Sequence, residues 1–138
     1  MYIEEWQADI GVSIDGVPVF DRWATASGGV LTASDSKTRP GGMGDEVSLG
    51  GPATRSDLTC TIQMTDIVAA QHKALENKIN HRGQVTITWL DLATKQPIPG
   101  STFSRVGVVK EVSEPGGDAN SNTVGMYTVV LSCDEAGA

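Results

Sequence analysis

Few side chains in this sequence could bind a metal ion or act as a nucleophile. The two histidines, His72 and His81, are nine residues apart. On one helix that spacing corresponds to roughly 13 Å along the axis, which is too far for both rings to bind the same ion. We therefore interpret both histidines as surface residues of a helix.

The two cysteines, Cys60 and Cys133, each lie in an alternating pattern of apolar and polar residues. A cysteine in such a pattern is usually a small buried side chain, and neither belongs to the Cys-x-x-Cys pair typical of a structural zinc site. A single disulfide between them stays open as an alternative, although reduced thiols are the default without a secretory signal.

Two polar segments match ligand-binding motifs only in part. The cluster GGMG at residues 41–44 lacks the Lys-Ser/Thr pair of a phosphate-binding loop and no predicted helix follows it. The run DANSN at residues 118–122 begins like a calcium loop, but Thr123 takes the place of the required glycine and Val129 that of the final glutamate. We interpret the first as a flexible segment and the second as a polar turn.

No serine stands in a Gly-x-Ser-x-Gly elbow, and the carboxylate pairs at residues 4–5 and 45–46 lie in polar surroundings that would leave their pKa values ordinary. The sequence therefore predicts no catalytic residues, no cofactor and no metal site. We expect a protein that is not an enzyme; a small hydrolase would need a pocket with perturbed carboxylates.

The elements that would position these residues are mostly strands. Apolar and polar residues alternate at 8–14, 58–64, 85–89 and 127–133, which is the period of half-buried strands. A turn at residues 96–100 predicts a further strand at 103–112. Asp15-Gly16 predicts a tight hairpin into a further strand at 17–25. After residue 65 the apolar residues recur with the period of an α-helix. We expect this helix to begin with Thr65 or Asp66 as its N-cap and to end at Gly83.

The segment at residues 33–56 is rich in glycine, contains two prolines and has few large apolar residues. This composition predicts a long loop or a loose hairpin that projects from the domain. Long loops of this kind often bind partners, and the alternative is a solvated connection between strands.

Strands joined by short turns, with one helix among them, predict a β-dominated α+β fold. We expect a single domain over residues 1–138: an antiparallel β-sandwich or barrel with one flanking helix and a long projecting loop. The formal charge of −7 opposes tight binding of nucleic acid. Acidic residues near the start argue against a signal peptide, which would need a basic start. No run of 18 apolar residues is present, so we do not expect the chain to insert into a membrane.

The order of these elements resembles the tail tube proteins (major tail proteins) of long, non-contractile-tailed bacteriophages, particularly those that infect actinobacteria. The resemblance rests on five segments: GGMGDEVSLGGPATRSDLTCTIQMTD, ALENKI, VTITWLDL, GVVKEVSEPGGDANSN and YTVVLSCDE. It covers most of the chain and consists of order and composition, without a catalytic signature.

The resemblance implies a structural virion protein whose subunits form rings, usually of six, that stack into a tube through which DNA is ejected. It implies as partners other copies of the chain, a tape-measure protein, and terminator and baseplate proteins, with DNA passing without tight binding. The protein would be assembled in the host cytoplasm and located in the phage tail. Alternatives are a tube subunit of a type VI secretion-like system and a discrete tail adaptor or binding module.

The resemblance also gives the Gly-rich segment a role between stacked rings. Val47 and Leu49 alternate with Glu46 and Ser48, so this stretch could add a strand to another subunit's sheet. The residues we expect in this inter-subunit loop are Arg39, Pro40, Gly41, Gly42, Met43, Gly44, Asp45, Glu46, Val47 and Leu49.

Overall fold

A computed structural model describes residues 3–20, 22–38, 44 and 47–134 of the chain. They form a short 3-10 helix at Glu5–Gln7, one α-helix and nine strands. The strands are β1 (Ala8–Ile14), β2 (Val17–Pro18), β3 (Thr25–Gly28), β4 (Leu31–Thr38), β5 (Val47–Arg55), β6 (Leu58–Gln63), β7 (Arg82–Trp89), β8 (Phe103–Ser113) and β9 (Met126–Cys133), and the helix α1 (Asp66–Glu76) lies between β6 and β7.

Seven of the strands form one antiparallel sheet in the order β2-β1-β7-β8-β9-β6-β3, and β4 pairs with β5 in a separate hairpin. This arrangement confirms the predicted β-dominated α+β class with one flanking helix. Residues 17–28 run from one edge of the sheet to the other, since Val17 pairs with Ile14 and Ala26 pairs with Cys60. Hydrogen bonding along this segment is interrupted, so within the described residues the sheet curls but does not close into a barrel.

The predicted hairpin at Asp15-Gly16 is present, and both residues have positive φ, as a two-residue turn of this kind requires. The single strand expected at 17–25 is wrong. It is divided into β2 and β3, because Pro18 has no N–H for a ladder and Phe20 has a φ of 58°. An isolated bridge between Ile10 and Trp23 spans the gap.

Helix α1 begins as the sequence predicts, with the Thr65 side chain accepting a hydrogen bond from the Val68 amide at 3.3 Å. Its predicted end at Gly83 is wrong. The helix ends at Glu76, the chain turns through Asn80 at a φ of 73°, and Gly83 lies in β7 opposite Ile14. Within the described residues, no helix has the length and apolar character needed to cross a membrane.

The core lies between α1 and one face of the sheet. Alternate residues of the central strand β9, Tyr127, Val129 and Leu131, have no solvent exposure. They form one apolar cluster with Val68 and Leu75 from the helix and with side chains of β1, β6, β7 and β8. Since α1 crosses from β6 to β7 over the two strands between them, it covers the middle of the sheet.

Both cysteines are free thiols, so no disulfide joins them. Cys60 is fully buried in the core, and burial raises the pKa of its thiol to about 12. Burial also raises the pKa of Cys133, which is partly exposed. Both therefore stay protonated near neutral pH, in agreement with their interpretation as small core side chains.

We expect Leu131→Ala to lower the free energy of unfolding by about 2–5 kcal/mol, because it removes a fully buried side chain from the middle of the sheet. Leu92→Ala is the matched control: Leu92 is 58% exposed, and its truncation should change stability by less than about 0.5 kcal/mol. Urea denaturation of the two variants measures both values. Equal losses would contradict this assignment of the core.

Candidate assembly interface

The predicted projecting segment is a β-hairpin that stands apart from the seven-stranded sheet. Pairing runs from Leu31↔Arg55 to Thr38↔Val47, with an irregularity between Ala33 and Asp35. Of the two predicted forms, a long loop or a loose hairpin, the described residues of this segment take the hairpin form. In the described part of the chain, β4 and β5 pair only with each other, so each strand has an unpaired outer edge. Such edges accept strands from other chains.

The base of the hairpin is fixed to the main sheet. Gly28 has a φ of 101°, and any Cβ there would collide with the Asp57 carbonyl oxygen. The Gly29 amide donates to that same oxygen at 3.3 Å, and the Ser56 amide donates to the Val30 carbonyl oxygen at 3.0 Å. These contacts set the direction in which the hairpin leaves the domain.

The structure describes three of the ten predicted inter-subunit residues. Val47 and Leu49 lie in β5, opposite Thr38 and Ser36, and Gly44 is an exposed bend residue between the two strands. The other seven residues are Arg39, Pro40, Gly41, Gly42, Met43, Asp45 and Glu46, and they lie outside the described residues.

A second surface with the character of an interface is an apolar groove that sequence reasoning missed. We call it the tryptophan groove. It consists of two adjoining shallow depressions, both of which are lined by Trp89. Its other large apolar side chains are Ile3, Trp6, Ile98 and Phe103. Trp6 is 67% exposed, and Trp89 packs edge-on against Phe103 with ring centroids 5.8 Å apart. Exposed aromatic residues of this kind are enriched at protein interfaces. No sequence period joins these residues. Trp89 and Phe103 meet when β7 pairs with β8, and Ile3 and Trp6 precede β1, which pairs with the other side of β7.

Several basic side chains on the described surface pair with carboxylates. Asp15 contacts Lys78 and His81, Lys110 contacts Asp57, and Arg82 contacts Asp134. The hydrogen bond with His81 is the main cause of a lowered pKa at Asp15. That the chain does not bind nucleic acid tightly stays a prediction from its net charge.

One cluster bears on the expectation that no residue set can assemble a metal site. His72, Glu76 and Glu114 bring three ligand atoms within 4.8 Å of one another. The two histidines are indeed separate, but Glu114 arrives from the loop that follows β8. The i,i+4 spacing of His72 and Glu76 was the available sequence signal, and the third member, distant along the chain, gave none.

The DANSN segment is a polar turn, as predicted. The Asp118 carboxylate accepts a hydrogen bond from the Asn120 amide at 3.0 Å, and the Asp118 carbonyl oxygen accepts one from the Ser121 amide. The carboxylate therefore bonds its own backbone, which is the behaviour of an Asx turn.

Neither known family models nor curated proteins match this sequence. Solved structures do match its fold. A chain in the cryo-EM structure of an extracellular contractile injection system, the PVC sheath/tube terminator in its extended state, is 16% identical with a TM-score of 0.76. The match covers 97% of this chain and 94% of that chain.

Two further structures show the same likeness. A chain in the cryo-EM structure of the anti-feeding prophage cap, a tube-terminating cap, is 16% identical with a TM-score of 0.71 over 97% of this chain and 88% of that one. The chain in the crystal structure of Hcp protein is 13% identical in sequence, with a TM-score of 0.50. That match covers 91% of this chain and 86% of the Hcp chain. At these identities the likeness shows that the chain has a tail-tube-like fold.

Proposed function

We propose that this protein is a non-enzymatic structural subunit that assembles into rings, and that the rings stack into a tube. The observation that carries the proposal is the β4–β5 hairpin, which leaves a tube-like domain with both outer edges unpaired. An isolated two-stranded hairpin is marginally stable in water, so a neighbouring subunit that pairs with either edge would stabilise it. Of the proposed inter-subunit residues, Val47 and Leu49 lie in strand β5 of this hairpin.

Ring contacts are assigned to the tryptophan groove and to the sheet edges. Burying apolar surface contributes about 25 cal/mol per Å², so exposed Trp6 and Phe103 would contribute favourably if a second copy covered them. Contact between subunits would also protect the short edge strands β2 and β3 from uncontrolled pairing. We propose rings of six, as the resemblance to tail tube proteins implies.

We propose that the tube is a phage tail that conducts DNA into the host, with tape-measure, terminator and baseplate proteins as partners. The chain's charge of −7 suits this role, since a cationic lining would retain DNA. A second candidate is the tube of a contractile injection or type VI secretion-like system. It is favoured by the fold likeness to the injection-system and Hcp structures.

Replacing residues 38–52 with a short Gly-Ser linker should leave a folded subunit that cannot build long tubes, because the hairpin lies outside the main sheet. Negative-stain microscopy of concentrated protein should show long hollow filaments for the parent chain only. Circular dichroism and thermal unfolding establish that the variant is folded.

The matched control replaces residues 116–122, in the loop between β8 and β9, with a Gly-Ser segment of equal length. Its filaments should be of normal length. Normal tubes from the variant without the hairpin would show that the hairpin is only a solvated connection between strands. Monodisperse monomers of the parent chain under every condition would favour the discrete adaptor instead.

Assembly should accelerate as sodium chloride is raised. Six subunits at −7 each give a ring a formal charge of −42, and their repulsion is screened over roughly 8 Å at physiological ionic strength. Light scattering at a fixed protein concentration measures the rate, and chloride is used because sulfate would itself strengthen apolar burial. Faster assembly in low salt would show that attractive ion pairs dominate the contacts.

A further inference from the structure

Three side chains from two separate parts of the chain converge beside α1. His72 and Glu76 are one helical turn apart on the same face, and Glu114 follows the last residue of β8. The His72 side chain is 23% exposed, whereas both carboxylates are more than half exposed. The cluster is therefore open to solvent on the carboxylate side and backed by protein on the imidazole side.

The distances suit a small cation. His72 Nε2 lies 3.1 Å from Glu114 Oε2, and it also contacts Glu76 Oε1. A tetrahedral ion with bonds of about 2.0–2.2 Å keeps its ligand atoms roughly 3.4 Å apart. Glu76 lies closer than this, but its exposed side chain is free to turn outward and admit an ion.

The imidazole ring is held in the orientation that such a site needs. His72 Nδ1 lies 2.6 Å from the Tyr127 hydroxyl oxygen, and the two rings pack edge to face with centroids 5.5 Å apart. Tyr127 is itself fully buried in the core. In the tautomer in which Nδ1–H donates to the phenol oxygen, the Nε2 lone pair would face the two carboxylates and could bind a metal ion. Metal-ligating histidines are commonly oriented by a partner on the other ring nitrogen in this way.

The cluster brings together two carboxylates and one imidazole. In the described ranges, neither Glu76 nor Glu114 forms an ion pair with a lysine or arginine. His72 can offer only one Nε2 hydrogen to two carboxylates. Even a protonated imidazole would leave one net negative charge, whereas a divalent ion bound to neutral His72 balances both carboxylates.

We propose that His72 Nε2, Glu76 and Glu114 form a binding site for a zinc-class divalent cation, with the fourth position left to water. Mixed nitrogen and oxygen ligands suit Zn²⁺, whereas Mg²⁺ and Ca²⁺ prefer oxygen ligands alone. The ion would link α1 to the loop between β8 and β9. This inference does not depend on the proposed tube function, and it replaces the sequence-based expectation of a protein without metal.

The test is calorimetric titration of the full chain with zinc chloride after treatment with EDTA and its removal. We expect one ion per chain and a rise in Tm on zinc addition. Glu114→Gln and His72→Gln should each weaken binding at least about tenfold, since loss of an outer-shell partner alone costs that much. Glu114 is in an exposed loop, so its variant keeps the fold even if His72→Gln does not.

His81→Gln is the matched control, because His81 contacts Asp15 and lies outside the cluster. It should bind zinc like the parent chain, and magnesium or calcium chloride should produce no saturable heat in either protein. The proposal is overturned if zinc shows no saturable binding, or if Glu114→Gln binds it unchanged. Loss of zinc binding in His81→Gln, or tighter binding of calcium than of zinc, would also overturn it.

Discussion

The packing of α1 on the central strand β9 is the interaction on which the rest of the structure depends. Tyr127, Val129 and Leu131 are fully buried in the same apolar cluster as Val68 and Leu75 of the helix. Within the described residues, α1 is the single α-helix available to cover one apolar face of the sheet. The same packing brings His72 to the Tyr127 hydroxyl. The buried Tyr127 therefore fixes the position of the imidazole in the group formed by His72, Glu76 and Glu114.

A second constraint is the set of strand edges that the fold leaves open. Residues 17–28 bring the two edges of the sheet together without a continuous ladder, and the β4–β5 hairpin adds two further edges. Natural proteins shield such edges or use them for assembly. In the proposed tube, a ring of subunits would use these edges, and the hairpin would supply the contact between stacked rings. One physical requirement would then account for a long, apolar-poor hairpin on a small β domain.

Local sequence patterns predicted strands β1, β6, β7, β8 and β9 and the start of the helix, because turn residues, period-2 alternation and the Thr65 cap act within a few residues. They failed where a single backbone conformation decided the outcome. Asn80 ends the helical region by a positive φ that no apolar period reveals, and Phe20 divides a predicted strand in the same way.

The candidate sites were only partly predictable, for a related reason. The hairpin was anticipated from composition, which is a local property. The tryptophan groove and the Glu114 contact depend on which strands become neighbours in the sheet. The sequence alone does not specify that β8 lies between β7 and β9, so residues 38 positions apart, such as Glu76 and Glu114, could not be paired in advance.

Amide hydrogen exchange of β4 and β5, compared between dilute subunits and assembled filaments, would show whether a neighbouring subunit pairs with the hairpin. In the free subunit these strands should exchange fast, because a two-stranded hairpin outside the core is weakly protected. In filaments they should become strongly protected by a neighbouring subunit, while β9 is protected in both states. Equal exchange of β4 and β5 in subunit and filament would contradict the account.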